Sequence, residues 1–446
     1  MVFLMSNKNM EFKDSGIPWI GQIPKHWEVK KVKDGFYLKK DKALIENPVV
    51  LTLARSGIKV RDLENNEGQF AKSYFEYNPV DIDDILLNTM DLQSGANCNI
   101  SKIKGVISPA YANLRYKNGF SPNFYNYYFK IQYWTFAFFA HGKGVSYENR
   151  WTLNNQTLMR FPLLVPPLNE QKEIAEFLDK KCEIIDKRLS NLERKIKSLK
   201  EYKKSLISEC VTKGLNPKNM EFKDSGIPWI GQIPKHWEVT KIKYCLKENF
   251  GGCWGDDLEN EQISQNSRLC IRVADFDFDK QKVKQTADTF RNYTKSQILS
   301  TKLQDGDLII EKSGGGDKMP VGRSVVFEQN LFGEKEVLFA NFCQCFRPLN
   351  INNKFFAHAM KAFYQNNNMR FFFNQTTGIQ NLSIFNILNA FLPYPPLNEQ
   401  KEIAEFLDKK CEKIDRLNEN YTKQITALKE YKKSLIYECV TGKKEI

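Results

Sequence analysis

The sequence contains no Cys-x-x-Cys pair and only four histidines, so the paired ligands of a structural zinc site are lacking. No run of about 18 apolar residues occurs, which leaves no segment suited to span a bilayer as a helix. The opening Met-Val-Phe-Leu-Met is too short for the apolar core of a signal peptide, so a cytoplasmic location without a membrane partner is expected. Enzymatic signatures are equally scarce. The Asn/Asp-Pro-Pro-aromatic run of an amino-methyltransferase is missing, as is a glycine motif for its methyl donor; Phe250–Gly255 has the wrong spacing. Gly314–Lys318 lacks the spacing of a P-loop and its following hydroxyl residue. Asp307, Glu311 and Lys312 lack the Glu-x-Lys spacing of a metal nuclease. His26 and His236 have no acid, nucleophile or second histidine at a useful spacing and read as structural. No catalytic, cofactor-binding or metal-binding residue is assigned.

Two repeats organise the chain. PPLNEQKEIAEFLDKKCE begins at Pro166 and returns letter for letter at Pro395, and the related run Leu199–Thr212 returns at Leu428–Thr441. Each copy carries a heptad pattern. Apolar residues fall at Leu178, Cys182, Ile185, Leu189, Leu192, Ile196, Leu199, Leu206 and Cys210, with Lys203 off pattern. The second copy gives Leu407, Cys411, Ile414, Tyr421, Ile425, Leu428, Leu435 and Cys439, with Asn418 and Lys432 as polar exceptions. A seam sustained over several heptads predicts a coiled coil, and two seams in one chain can satisfy each other. The proline pairs Pro166-Pro167 and Pro395-Pro396 bar helix before them, Asn169 and Asn398 are the expected N-caps, and Gly214 and Gly442 the expected stops. Some 45 helical residues at about 1.5 Å each give a rod on the order of 65 Å.

The second repeat, Lys8–Val29, reappears at Lys218–Val239. Its Gly-Ile-Pro-Trp and Ile-Pro-Lys-His-Trp runs read as turns whose Trp19, Trp27, Trp229 and Trp237 pack against neighbouring elements. Between short repeat and helix lie two unlike inserts, Lys30–Val165 and Thr240–Tyr394, which share landmarks. Each has an acidic turn before a buried strand (Asp83–Leu87; Asp305–Ile310) and a small-residue strand ending in Arg115 or Arg347. An aromatic helical segment follows (Asn123–Lys130; Lys354–Phe363), then a glycine-bearing loop (Gly142–Tyr147; Thr376–Gln380). The fold expected is α+β: two pseudo-symmetric globular domains separated by a long antiparallel two-helix coiled coil. The division by sequence is 1–165, 166–214, 215–394 and 395–446.

The net charge of +13 favours a polyanionic partner. Identical scaffolds around unlike inserts, related by a pseudo-twofold, suit a ligand that is itself a twofold ruler. Duplex DNA, with half-sites about 34 Å apart on one face, is such a ligand. The competing readings are a coiled-coil scaffold carrying two peptide-binding domains, and a self-contained nuclease or methyltransferase.

The duplicated PPLNEQKEIAEFLDKK helices, the DSGIPWIGQIPKHWEV segments and the Gly-Asp-Leu-Ile-Ile strand resemble the specificity subunit of type I restriction–modification systems, over essentially the whole chain. The resemblance implies two target-recognition domains that read a bipartite, asymmetric site on double-stranded DNA. It implies two methyltransferase subunits and restriction–translocase subunits as partners, to which adenine methylation and cleavage belong, with S-adenosylmethionine, ATP and Mg2+ bound there and no cofactor in this chain. The first insert departs from the pattern: Asn78–Asp84 lacks the usual glycine before the aspartate. DNA contacts are expected from basic and amide groups on insert loops. The candidates are Arg55, Asn88, Lys143, Ser146 and Arg150 in the first insert. In the second they are Lys312, Ser313, Lys318, Arg323, Gln375 and Gln380. Taken singly, each is also consistent with a solvated surface residue; the group is the candidate. Gly144 and Gly378 are read as backbone turns.

Overall fold

The two heptad runs fold as unbroken α-helices of 46 and 44 residues, Leu168–Lys213 and Leu397–Val440. The apolar seam positions are buried or half-buried in both. Asn169 and Asn398 are not the N-caps. Helix begins one residue earlier, and the carbonyls of Pro167 and Pro396 accept the N–H groups of Gln171 and Gln400, each at 3.0 Å. Proline has a near-helical φ and no N–H to orphan, so the second proline of each pair can open the helix instead of merely preceding it. The glycine stops are as expected, with φ 76° at Gly214 and 70° at Gly442. Beyond the second helix, Gly442 N–H reaches Cys439 O at 3.2 Å and Lys443 N–H reaches Glu438 O at 2.8 Å, the two bonds of a left-handed glycine cap.

The protein is described here by a computed structural model over residues 11–63, 71, 73–90, 92, 97–144, 151–258, 262–376 and 378–446. It divides into one unit of Met1–Leu192 with Lys423–Ile446 and a second of Glu193–Thr422, so each unit takes one half of either long helix. Inside the second unit Lys195 lies over the Tyr421 ring and Lys203 donates to both Asp415 oxygens at 2.7 Å, which is antiparallel order. Inside the first, Lys432 donates to Asp186 at 2.6 and 2.7 Å. Under the helix repeat these are the same pair, since Asp186 repeats as Asp415 and Lys203 as Lys432. The two lysine exceptions in the seam, Lys203 and Lys432, are therefore the cations of its ion pairs.

In the first unit the insert is tied at its base. Strand β1 (Glu28–Lys31) leads into β2 (Phe36–Lys39), and β1 pairs with the insert's last strand, Pro162–Val165. Strands β3 (Ile85–Leu87), β4 (Cys98–Ile100) and β5 (Ala112–Tyr116) complete an antiparallel sheet in the order β2-β5-β3-β4. Helix α1 (Pro122–Trp134) buries Phe124, Tyr125, Tyr128 and Phe129 in the main core, which Leu435, Ile436, Cys439 and Val440 of the second long helix also enter. The last strand becomes β6 (Pro162–Val165).

The second unit repeats this plan. Strand β7 (Glu238–Lys241) pairs with the closing strand Phe391–Tyr394. A sheet then runs β8 (Leu246–Gly251), β13 (Cys343–Pro348), β11 (Leu308–Glu311), β12 (Ser324–Val326), β10 (Lys282–Val283), β9 (Phe276–Asp277). The order β8-β13-β11 matches β2-β5-β3, so the two inserts share a three-strand kernel and differ in what extends it. Helix α2 (Asn353–Gln365) packs as α1 does. A hairpin of β14 (Phe373–Thr376) and β15 (Ile379–Leu382) precedes β16 (Phe391–Tyr394).

The short repeat clamps the helix start in both units. Trp27 and Trp237 are wholly buried and donate to Glu170 and Glu399 at 2.9 Å, while His26 and His236 contact the same carboxylates at 2.8 and 2.7 Å. Each histidine is thus held against the helix start, and the acid it lacked in sequence comes from the other repeat. Trp19 bonds the Gln132 amide and Trp229 the Phe391 carbonyl, so all four tryptophans pack against other elements.

All ten cysteines are free thiols, and Cys253 alone is not buried. Burial pushes Cys98, Cys210 and Cys439 up to about 12. A thiol reagent at pH 8 is therefore expected to modify Cys253 alone in the native protein and all ten after unfolding; fast labelling of several would overturn that assignment. In the unfolded chain thiols titrate near about 8.5. The folded state then binds more protons between these values, and stability from these groups is lost as pH rises from about 8.5 toward about 12.

Candidate nucleic-acid interface

The acidic turn and the arginine strand, far apart in sequence, meet in each insert. In the first unit fully buried Asp84 accepts from Arg115 at 3.1 Å, Lys39 at 3.0 Å and the Asp81 N–H at 2.8 Å. In the second, Asp307 accepts from Arg347 Nε and a terminal guanidinium nitrogen at 2.9 Å each and from the Gln304 N–H at 2.7 Å. The bond to Asp307 raises the Arg347 pKa against its burial. Charge and backbone bonding thus fix β3 to β5 and β11 to β13, and the strand after each aspartate delivers the following loop to the surface. The missing glycine of the first insert is replaced by conformation: Asp83 takes φ 68° where Gly306 has 85°. At Gly306 a Cβ would come within 2.4 Å of Asn353 Nδ2, so a side chain there would require the Asn353 amide to move.

The second-insert candidates converge. Beyond β11, Lys312 and Ser313 donate backbone N–H groups to Phe342 O at 2.9 and 3.3 Å, and Gly314 N–H reaches Gln380 O at 3.1 Å. Ser313 Oγ contacts Asn381 Oδ1 at 2.6 Å. Gly316 and Met319 exchange two backbone bonds of 3.0 Å, which sets Asp317 and exposed Lys318 at a turn tip. Gly315 has no room for a side chain, because a Cβ would lie 2.5 Å from Val321 N. Gln375 sits on β14 opposite Gln380 on β15.

Two of these candidates are committed internally. Arg323 meets buried Glu311 through two bonds of 2.9 Å, and that pairing raises the guanidinium pKa against burial. Gln380 is 2% exposed and its side chain accepts the Val321 N–H at 3.2 Å. These residues shape the loop that carries Lys312, Ser313 and Lys318. Glu311, Asn381 and Tyr364, whose hydroxyl donates to Pro320 O at 3.0 Å, belong to the same framework. Sequence reading missed them: Glu311 looked like a failed nuclease motif, and Asn381 lies one residue past the loop singled out.

The first-insert candidates are dispersed. Arg55 is exposed at the tip of the hairpin Leu51–Ala54/Gly57–Val60. Asn88 is buried; its side chain accepts the Met90 N–H at 3.0 Å and its carbonyl takes the Tyr133 hydroxyl at 2.7 Å. Lys143 is exposed, and its backbone bridges Thr152. Leu153 N–H bonds Thr89 O at 2.9 Å, which brings the loop after β3 beside the segment that follows Lys143. Ser146 and Arg150 lie outside the described residues.

Two pseudo-symmetric α+β domains on an antiparallel helix pair, each with a shared kernel and a different loop set, define a two-module recognition protein. A family profile described as the type I restriction modification DNA specificity domain matches residues 24–197 and 277–427, well over half of the chain. The chain belongs to this family, whose general function is recognition of a DNA target and whose members are in general not catalytic. It is 24% identical over 437 residues to the type I restriction enzyme MjaVIII specificity subunit of Methanocaldococcus jannaschii, covering 95% of this chain and 94% of that one. A putative MjaX specificity subunit from the same organism is 24% identical over 269 residues, covering 54% of this chain and 57% of its own length. Among solved structures, a chain from a study of complex assembly and conformational transition in the type I R-M system superposes with TM-score 0.68 at 13% identity, over 95% of this chain and 99% of that one. The HsdS subunit of Thermoanaerobacter tengcongensis gives 0.52 at 13%, over 95% and 98%. These likenesses show the fold. No helix among the described residues is long and apolar enough to cross a membrane.

Proposed function

We propose that this chain reads a bipartite, asymmetric site on duplex DNA, one half through each insert. We further propose that it positions two copies of a methyltransferase and, in the larger assembly, restriction–translocase subunits, in the cytoplasm where those partners and their DNA meet. Adenine methylation and cleavage, with S-adenosylmethionine, ATP and Mg2+, belong to the partners. Recognition falls to Arg55 and Lys143, with Ser146 and Arg150, in the first insert and to Lys312, Ser313, Lys318 and Gln375 in the second, on loops that Asn88, Arg323 and Gln380 help to shape.

The observation that carries this reading is where the helix repeat is kept and where it is not. Lys172, Glu173, Glu176, Lys180 and Lys181 are exposed, and so are their copies Lys401, Glu402, Glu405, Lys409 and Lys410. Packing does not require identical exposed residues, and exposed positions in the middle of the helices have diverged: Lys187, Ser190, Glu193 and Arg194 stand against Arg416, Glu419, Thr422 and Lys423. A surface presented twice, unchanged, suits one partner bound twice, while unlike loops suit two unlike half-sites. With its methyltransferase partner the chain should prefer one non-palindromic duplex, with affinity falling steeply with salt as neutralised phosphates release counterions. Competition binding tests this: equal affinity for all duplexes at physiological salt would refute it.

A further inference from the structure

We propose that Phe342 and Ile379 read the second half-site by apolar contact with a thymine C5-methyl group, and that Met319 borders the same contact. The inference rests on the DNA-reading function proposed above and adds residues and a chemical group to it. Phe342 is 56% exposed, Met319 59% and Ile379 51%. Exposed apolar residues scattered singly are ordinary, but these three are rooted in one framework. Phe342 sits in the turn closed by Cys343 N–H to Ala340 O at 2.9 Å, and its own carbonyl takes the N–H groups of Lys312 and Ser313. Ser313 bridges to Asn381, and Ile379 shares the exposed face of β15 with Asn381, two residues apart. Met319 closes the turn whose tip is Asp317 and Lys318.

A folding role does not account for the exposure, because the core of this unit is built from other residues. The setting is polar and fits a nucleic acid: Lys312 and Lys318 supply positive charge, and Ser313 and Asn381 supply hydrogen-bonding groups. Asp317 is the acidic residue at the tip. In the major groove the methyl of thymine is the apolar feature of the base edges, so a polar reader with an apolar centre matches an A·T pair flanked by phosphates. An adenine-modifying partner requires at least one such pair in each half-site.

The test replaces thymine with deoxyuridine, which removes only the methyl. Once the methylated motif has been mapped, each thymine of the half-site read by the second insert is substituted in turn. Affinity of the chain with its methyltransferase partner is then measured by competition. We expect about a four-fold loss at one or two positions, the scale of one buried methyl-sized group. Phe342→Ala and Ile379→Ala should each reduce that penalty, while substitutions in the other half-site respond as in the unaltered protein. Both residues are exposed, so neither change should unfold the domain. Indifference of the unaltered protein to every deoxyuridine in that half-site would overturn the inference, as would an undiminished penalty in both variants. Failure to prefer any duplex would instead overturn the DNA-reading function itself.

Discussion

Exchanging Thr240–Tyr394 for the second insert of another family member is expected to replace one half of the methylated motif and leave the other half unaltered. The insert begins and ends in one two-stranded ladder, where Glu238 faces Tyr394 and Lys241 faces Phe391, so both graft points lie side by side on a rigid base. Below them, the Trp237–Glu399 clamp belongs to scaffold that the first unit repeats as Trp27–Glu170. The graft must still satisfy contacts that reach the helices. His358 and Lys354 meet Asp408 at 2.9 and 2.7 Å, and Lys203 donates to Asp279 O at 2.9 Å. An incoming insert lacking these partners should lower stability before it alters specificity. Methylome sequencing of cells carrying the hybrid and its partners decides the matter; a change in both halves would show that the inserts do not read independently.

The second large effect separates two ion pairs that sequence makes equivalent. Lys203→Ala is expected to cost about 3–5 kcal/mol, because it leaves a charge in a buried pair without its partner. Lys432→Ala should cost under about 1 kcal/mol, as for an exposed pair. The difference lies in burial: side-chain exposures are 10% and 21% for Lys203 and Asp415, but 26% and 56% for Lys432 and Asp186. The turn at Phe278–Asp279 of the second insert makes the contrast, since Lys203 and buried Lys361 both donate to Asp279 O, at 2.9 and 2.7 Å. Replacing both Lys203 and Asp415 by apolar residues should be near neutral, which distinguishes a broken pair from lost packing. Equilibrium unfolding followed by circular dichroism measures all three. Equal losses at Lys203 and Lys432 would show that burial does not separate the pairs.

Much of this architecture could be read from the chain because it is written twice. Repetition exposed the heptads, the glycine stops and the unlike inserts, and the aromatic segments proved to be α1 and α2. Local chemistry misled at the helix starts, where Asn169 is a good capping residue but Pro167 already supplies the first carbonyl. Long-range pairing was the larger loss. Asp84 and Arg115 were both singled out, and so were Asp307 and Arg347, yet nothing in the spacing says that they bond to each other. The recognition candidates suffered in the same way. Asn88, Arg323 and Gln380 have side chains suited to bases, and their internal partners Met90, Glu311 and Val321 become visible only when the chain closes on itself.

The division of the long helices between the units also sets an order of events during synthesis. Glu193–Thr422 is one continuous stretch, so every residue of the second unit is polymerised before Lys423 is added. The first unit waits for its last helical segment, because Leu435, Ile436, Cys439 and Val440 fill the core around Trp27 and Phe124. Until then its N-terminal part carries an open apolar groove while a whole domain is translated, and a wait of that kind slows folding and invites misassociation. The Tyr437 hydroxyl on Trp19 O at 3.0 Å and the Lys443 ammonium on Ile20 O at 2.7 Å are then the closing contacts of the nascent chain.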